Sequence, residues 1–233
     1  MHKLIFICLL LLTKPLWAMA PQRNFAQSVE HAVQRYGIPS EQILSGYFKK
    51  ARVAYPPQKV ALLAFKKERQ LQLWAKDNSS QSWRYVHTYP LTATSGHLGP
   101  KLKEHDRQIP EGIYRLTSLN PYSTWHLSMM INYPNEFDRL QASKEGRNKL
   151  GGNIFIHGKS SSVGCLAIGD KAIDQLFLLA HRVGLHNMQL IISPNDLRKE
   201  KPATGIFAQP RWLPELYQNI QQALKPFPIT RYS

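Results

Sequence analysis

Between Lys59 and Tyr89 the chain repeats one texture: KVALLAF, QLQLWAK and WRYVHTY are short, apolar or alternating, and are set apart by the polar runs KKER and DNSSQS. A period of two puts successive side chains on opposite faces, so these segments predict consecutive β-strands joined by hairpin-like turns. GIYRLTSL, WHLSMMINYP, NIFIHG and NMQLIIS extend the series. Two stretches follow a helical period instead. Phe25, Val29, Val33 and Tyr36 predict a helix that Gly37 stops, with a second short one from Pro39 onward. Ile173, Leu176, Phe177 and Ala180 stripe KAIDQLFLLAHRVG, which Gly184 closes.

These elements predict a mostly β (α+β) domain over residues 57–196, preceded by a helical segment over 21–56 that Pro56-Pro57 ends. Gly96, Gly99, Pro100, Pro110 and Gly112 mark an irregular loop before GIYRLTSL. A tail over 197–233 is expected to pack on the domain through a short amphipathic helix between extended arms.

The first twenty residues change where this domain is expected to work. Lys3, the apolar run Leu4 to Leu12 and the small-residue exit Ala18-Met19-Ala20 have the layout of a signal peptide over residues 1–20. Lys14 and Pro15 cut the run short of a bilayer span. Cys8 has no small residue before it, which argues against lipoprotein processing. The expectation is export to the periplasm, with no stable membrane insertion after signal removal. Processing would remove Cys8 and leave Cys165 alone in an oxidising compartment, either buried and inert or kept for its reactivity. The formal charge of +15 suits a polyanionic partner such as a cell wall. Its charges are dispersed, and no zinc-ligand spacing, stacking-sheet motif or basic helix supports nucleic-acid binding.

The stretch IFIHGKSSSVGC, residues 154–165, brings an imidazole and that thiol close in sequence. A thiol of pKa ~8.5 is only a few per cent ionised at neutral pH, and a nearby imidazole can take its proton and later return one to a leaving amine. Gly158 and Gly164 would let the intervening loop fold back, and backbone N–H groups beside Cys165 could hold an oxyanion. On residues alone, a hydrogen-bonded structural His157 and an inert Cys165 remain the alternative. The other histidines show no paired spacing with carboxylates or cysteine, so no metal and no cofactor is expected.

HG followed by SVGC resembles the signature of the L,D-transpeptidase (YkuD-type) family through His157, Gly158, Ser162, Gly164 and Cys165. Val163 stands where most of that family has a second histidine, and Ala167 where many have Asn or Arg. These departures and the short gap between HG and SVGC resemble the YafK-like subgroup. LTATSGHLGPKLKEHDRQIPEGIYRL and TWHLSMMINYPNEFDR carry the resemblance across roughly residues 59–194.

The resemblance implies a β-sandwich or barrel catalytic domain with flanking helices, acting on peptidoglycan stem peptides. It implies that Cys165 attacks a diaminopimelate carbonyl to form a thioester. His157 would serve as base and then acid, Gly158 would orient the imidazole through its carbonyl, and the Gly164 and Cys165 N–H groups would receive the oxyanion. His126, Tyr133 and Arg139 are candidate substrate contacts, each with a plainer reading as strand-end histidine, packing tyrosine and solvated arginine. Ser160, Ser161 and Ser162 shape the loop rather than supply a nucleophile, and Ser162 joins the candidate substrate contacts. The favoured outcome is cleavage of a wall-attached lipoprotein or peptide, with cross-linking, protein attachment or carboxypeptidase action as alternatives. The rival from another class is a non-catalytic, basic wall-binding protein.

Overall fold

A computed structural model describes residues 25–77, 82–205 and 209–229. The expected signal peptide and most of the DNSSQS turn lie outside the described residues. Helix α1 (Phe25–Ala51) leads into a hairpin of β1 (Lys59–Phe65) and β2 (Gln70–Lys76), followed by β3 (Arg84–Pro90). After the loop come β4 (Gly112–Asn120), β5 (Ser128–Ile131), α2 (Glu136–Lys144), β6 (Phe155–His157) and β7 (Leu166–Ala167). Helix α3 (Asp170–Val183), a 3-10 turn, β8 (Met188–Ser193) and α4 (Leu213–Leu224) complete the chain.

The strands form one curled sheet, a half-barrel, in the order β3-β2-β1-β8-β4-β5-β6-β7. Strand β4 makes the curl. Gly112 to Arg115 pair with β8, whereas Leu116 to Asn120 pair with β5 across a register shift between Leu116 and Ser118. A bulge of this kind bends a strand and increases its twist, so β4 turns the β5-β6-β7 end away from the plane of β1 and β8.

Strand β1 explains why KVALLAF is apolar at every position after Lys59. Val60, Leu62 and Ala64 face a core shared with α1 and α3, and Ala61, Leu63 and Phe65 face a second core under α4. A strand covered on both faces loses the usual alternation. The expected α4 packs through Leu213, Leu216, Tyr217, Ile220 and Leu224. Burying each such large side chain contributes about 1.5–3 kcal/mol.

The expected break at Gly37 does not occur: α1 runs unbroken through Pro39. Leu44 and Phe48 beyond the proline are fully buried in the same core as Ala32 before it, so tertiary packing holds both halves in line. Helix α2 was not expected from the periodicity. It is started by Asn135, whose side chain accepts the Asp138 N–H at 2.9 Å while Asp138 accepts the Asn135 N–H at 2.9 Å.

One buried ion pair ties the layers together. Lys66 Nζ lies 2.9 Å from Glu111 Oε1, and Lys66 also donates to the carbonyls of Gly99 and Ile109. Glu111 accepts the Gly99 N–H and, from α4, the Tyr217 hydroxyl at 2.9 Å. Burial pulls the Lys66 pKa down, opposed by the Glu111 charge.

Candidate active site

His157 and Cys165 are brought together by strand register. Strands β6 and β7 run parallel, with Ile156 opposite Leu166 and His157 opposite Ala167. Continued by one residue, this register sets Cys165 opposite Phe155, which shares a face with His157 because side chains alternate. Both residues line one cleft of about 370 Å³, with Tyr122, Trp125, Asn153 and Val163 around them.

Gly158 is fixed by crowding. A Cβ there would lie 2.6 Å from Asp170 Oδ1 and 2.8 Å from the Trp125 carbonyl oxygen. Its own carbonyl accepts from His157 Nδ1 at 2.6 Å, which selects the tautomer whose Nε2 is an open acceptor. The Trp125 ring lies tilted over the imidazole, with centroids 5.1 Å apart.

The cysteine sits at the end of a tight turn. Gly164 has φ 102°, a left-handed conformation that side chains rarely adopt, and a Cβ there would press on the Gln108 carbonyl at 3.3 Å. Ser162 Oγ donates to the Cys165 carbonyl at 2.7 Å. The Gly164 N–H, expected to face an oxyanion, is instead directed into Ser95 Oγ at 2.6 Å. Sequence reasoning gave Ser95 no role.

Both partners of the pair rest neutral at neutral pH. Burial pushes the Cys165 thiol up, opposed by the Phe155 backbone N–H and by the charge of Lys101. Burial holds His157 below its ordinary value, opposed by its bond to the Gly158 carbonyl. The thiol donates over a long 4.0 Å to the Asn153 carbonyl, so its proton must turn to reach an imidazole. Two neutral groups of this kind store no thiolate–imidazolium ion pair in the cleft.

Residues 59–184, more than half of the chain, match the L,D-transpeptidase catalytic domain, YkuD. The chain belongs to the L,D-transpeptidase catalytic-domain family. It is 32% identical over 120 residues to a protein of Escherichia coli K12 named as an L,D-transpeptidase, YafK, and equally to its counterpart in strain O157:H7. That match covers 51% of this chain and 46% of the relative, so the chain spans about half the length of the curated relatives it matches. Among solved structures it is similar to the helical cell shape determining protein Pgp2 of Campylobacter jejuni, with TM-score 0.48 and 22% identity over 71% of this chain and 57% of that one. It is also similar to Bd1075 of Bdellovibrio bacteriovorus, with TM-score 0.43 and 21% identity over 73% and 56% of the two chains.

Within this L,D-transpeptidase-type domain, the signature residues converge and the outlying candidates do not. His126 is not among the residues lining the cleft; its Nε2 is 2.7 Å from Asp174 Oδ1 on α3 and its ring is edge-on to Tyr36 of α1. Tyr133 is buried and donates to the Lys101 and Leu150 carbonyls, as a packing tyrosine does. Arg139 lies on α2 beside a different cleft, of about 650 Å³, with Lys59, Arg115 and His186. Among the described residues, none of those lining that larger cleft is a cysteine, serine or threonine that could act as nucleophile. Ser162 is engaged with the turn's own backbone and with Ser95. Among the described residues no three His, Cys, Asp or Glu side chains form a metal-holding group, and no helix is long and apolar enough to cross a membrane.

Proposed function

We propose that the chain is a cysteine-dependent L,D-transpeptidase acting on peptidoglycan stem peptides in the periplasm. The observation that carries this reading is the shared cleft of Cys165 and a His157 whose Nδ1 is held by the Gly158 carbonyl, which leaves Nε2 as the ring's proton acceptor. In the first step the Cys165 proton passes to His157 Nε2, and the sulfur bonds to the carbonyl carbon of a diaminopimelate residue. The amine of the next residue leaves with the proton that His157 returns, and a thioester remains. In the second step an acceptor amine gives a proton to His157, attacks the thioester carbon and releases the thiol.

Family membership favours transfer to an amine over the cleavage of a wall-attached lipoprotein or peptide expected from the sequence. The neutral resting pair supports the reading as well, because His157 is already the base it must be for the first step. The test is mass-resolved analysis of muropeptides after incubation with purified protein. Accumulation of diaminopimelate-to-diaminopimelate dimers supports transfer. Release of attached protein, or tetrapeptides shortened to tripeptides without dimers, assigns hydrolysis instead. Cys165→Ala should abolish either product and leave the thermal melt unchanged. No product from the wild-type protein, with its Cys165 unreactive, returns the chain to a wall-binding role.

A further inference from the structure

Three hydrogen bonds around the nucleophile turn have one consistent direction. The Cys165 carbonyl can only accept, so the Ser162 hydroxyl proton is committed to it at 2.7 Å. Ser162 Oγ also lies 3.0 Å from Ser95 Oγ, which makes Ser95 the donor there. Ser95 in turn accepts the Gly164 N–H at 2.6 Å. The chain of bonds runs from Gly164 N–H through Ser95 and Ser162 to the Cys165 carbonyl, and Ser95 is its one member from outside the turn. Bonds aligned head to tail in this way strengthen one another.

Ser95 is itself held firmly. Thr92 N–H donates to the Ala167 carbonyl at 2.8 Å, and Ala93 bridges Ala167 beside β7. Gly96 has φ 75°, and a Cβ there would lie 2.0 Å from Gln108 Oε1. That amide oxygen accepts the His97 N–H, and Gln108 Nε2 donates to the His97 and Gly99 carbonyls, both at 2.6 Å.

We propose that Ser95 is a positioning residue that holds the Ser162–Cys165 turn in its reactive shape, with the Gly164 N–H as one of its anchors. For turnover this rests on the acyl-transfer reading of Cys165. The shape of the turn can be read without that reading, from the rate at which iodoacetamide alkylates Cys165.

The experiment compares wild type, Ser95→Ala, Ser162→Ala, the double variant and Ser95→Thr. Ser95→Ala should lower kcat roughly 10- to 100-fold with KM little changed, the scale of a misplaced reacting group. Ser162→Ala should cost a similar factor, the double variant should lose no more than either single one, and Ser95→Thr should recover most of the rate. Alkylation rates should show the same coupling. Three results overturn the proposal: Ser95→Ala turning over at the wild-type rate, turning over faster because the freed Gly164 N–H serves the oxyanion, or single losses that multiply in the double variant. If Ser95→Ala loses its cooperative melt, Ser162→Ala breaks the same chain from the turn side, and a wild-type rate there overturns the proposal alone. Coupled alkylation in a protein with no turnover on wall peptides would keep Ser95 in place and reject the substrate reading.

Discussion

His157 and Cys165 each have a single titrating group, and the direction of each shift fixes a pH profile. Burial holds the His157 pKa below its usual value of about 6.5, so the imidazole is neutral at neutral pH and into mild acid. Base-dependent kcat/KM should fall only as pH drops through that lowered value, which places its acid limb below pH ~6.5. Burial raises the Cys165 pKa, so alkylation of the free enzyme should climb toward alkaline pH with a midpoint above the free-thiol value of about 8.5. Iodoacetamide kinetics across pH check both; fast alkylation at pH ~5 would reveal a stored thiolate and reject the neutral pair. Gly158→Ala makes a second test at this scale. Its Cβ would meet Asp170 Oδ1 at 2.6 Å and the Trp125 carbonyl at 2.8 Å. Relief requires α3 or the Trp125 loop to move, so a loss of about 1–3 kcal/mol in urea unfolding is expected, with turnover falling as the imidazole shifts. That His157 and Cys165 lie close together was legible because a short loop joins them, whereas the roles proposed for them came from the family resemblance. Ser95 was not, because its partner is 67 residues away and nothing in TATSGHLGP names it.

At the scale of elements, what could be read and what could not divide along the same line. Short apolar or alternating runs gave β1, β2 and β3, and the helical stripe gave α3, since each is a property of a short window. The parallel pairing of β1 with β8 could not be read, because it joins Val60 to Met188 across most of the chain. Gly37 and Pro39 predict a break that the buried Leu44 and Phe48 override. Helix α2 did leave a signal, the Asn135 and Asp138 pair three residues apart, which a search for capping boxes would have caught. The Lys66–Glu111 pair gives the prediction at this scale. Glu111→Leu strands the Lys66 ammonium in the interior and leaves the Gly99 N–H and Tyr217 hydroxyl without their acceptor. Unfolding in urea should show a loss of about 3–5 kcal/mol, which adding Lys66→Met should largely restore by removing the stranded charge. A wild-type midpoint for Glu111→Leu would reject the role given to this pair.

At the scale of the whole molecule, the catalytic family's reach and the folded unit differ. The family match ends at residue 184, yet β8 runs from Met188 to Ser193 through the middle of the sheet, and α4 covers the face made by Ala61, Leu63, Phe65 and Trp74. Removing residues 209–233 would uncover that face. With about 1.5–3 kcal/mol for each large apolar side chain exposed, the loss rivals a typical total stability of about 5–15 kcal/mol. The truncated chain should therefore lack a cooperative melt by circular dichroism; an unchanged melt would show that α4 is an appendage.

Strand β7 closes the sheet at one side with only two residues, and its outer flank is taken by the Thr92 N–H and the Ala93 bridge. An open flank would invite any extended peptide to dock by backbone pairing, whatever its side chains. Here the chain's own 92–93 segment occupies that place, so a visitor to Cys165 cannot be read as one more strand. It must come down onto the face of the sheet, between Trp125 and Val163, and be told apart by its side groups. Under the proposed function, that suits a stem peptide that mixes L and D residues, whose reversed chirality would spoil a ladder. Ordinary all-L polypeptides are denied, at this cleft, the one form of recognition they share.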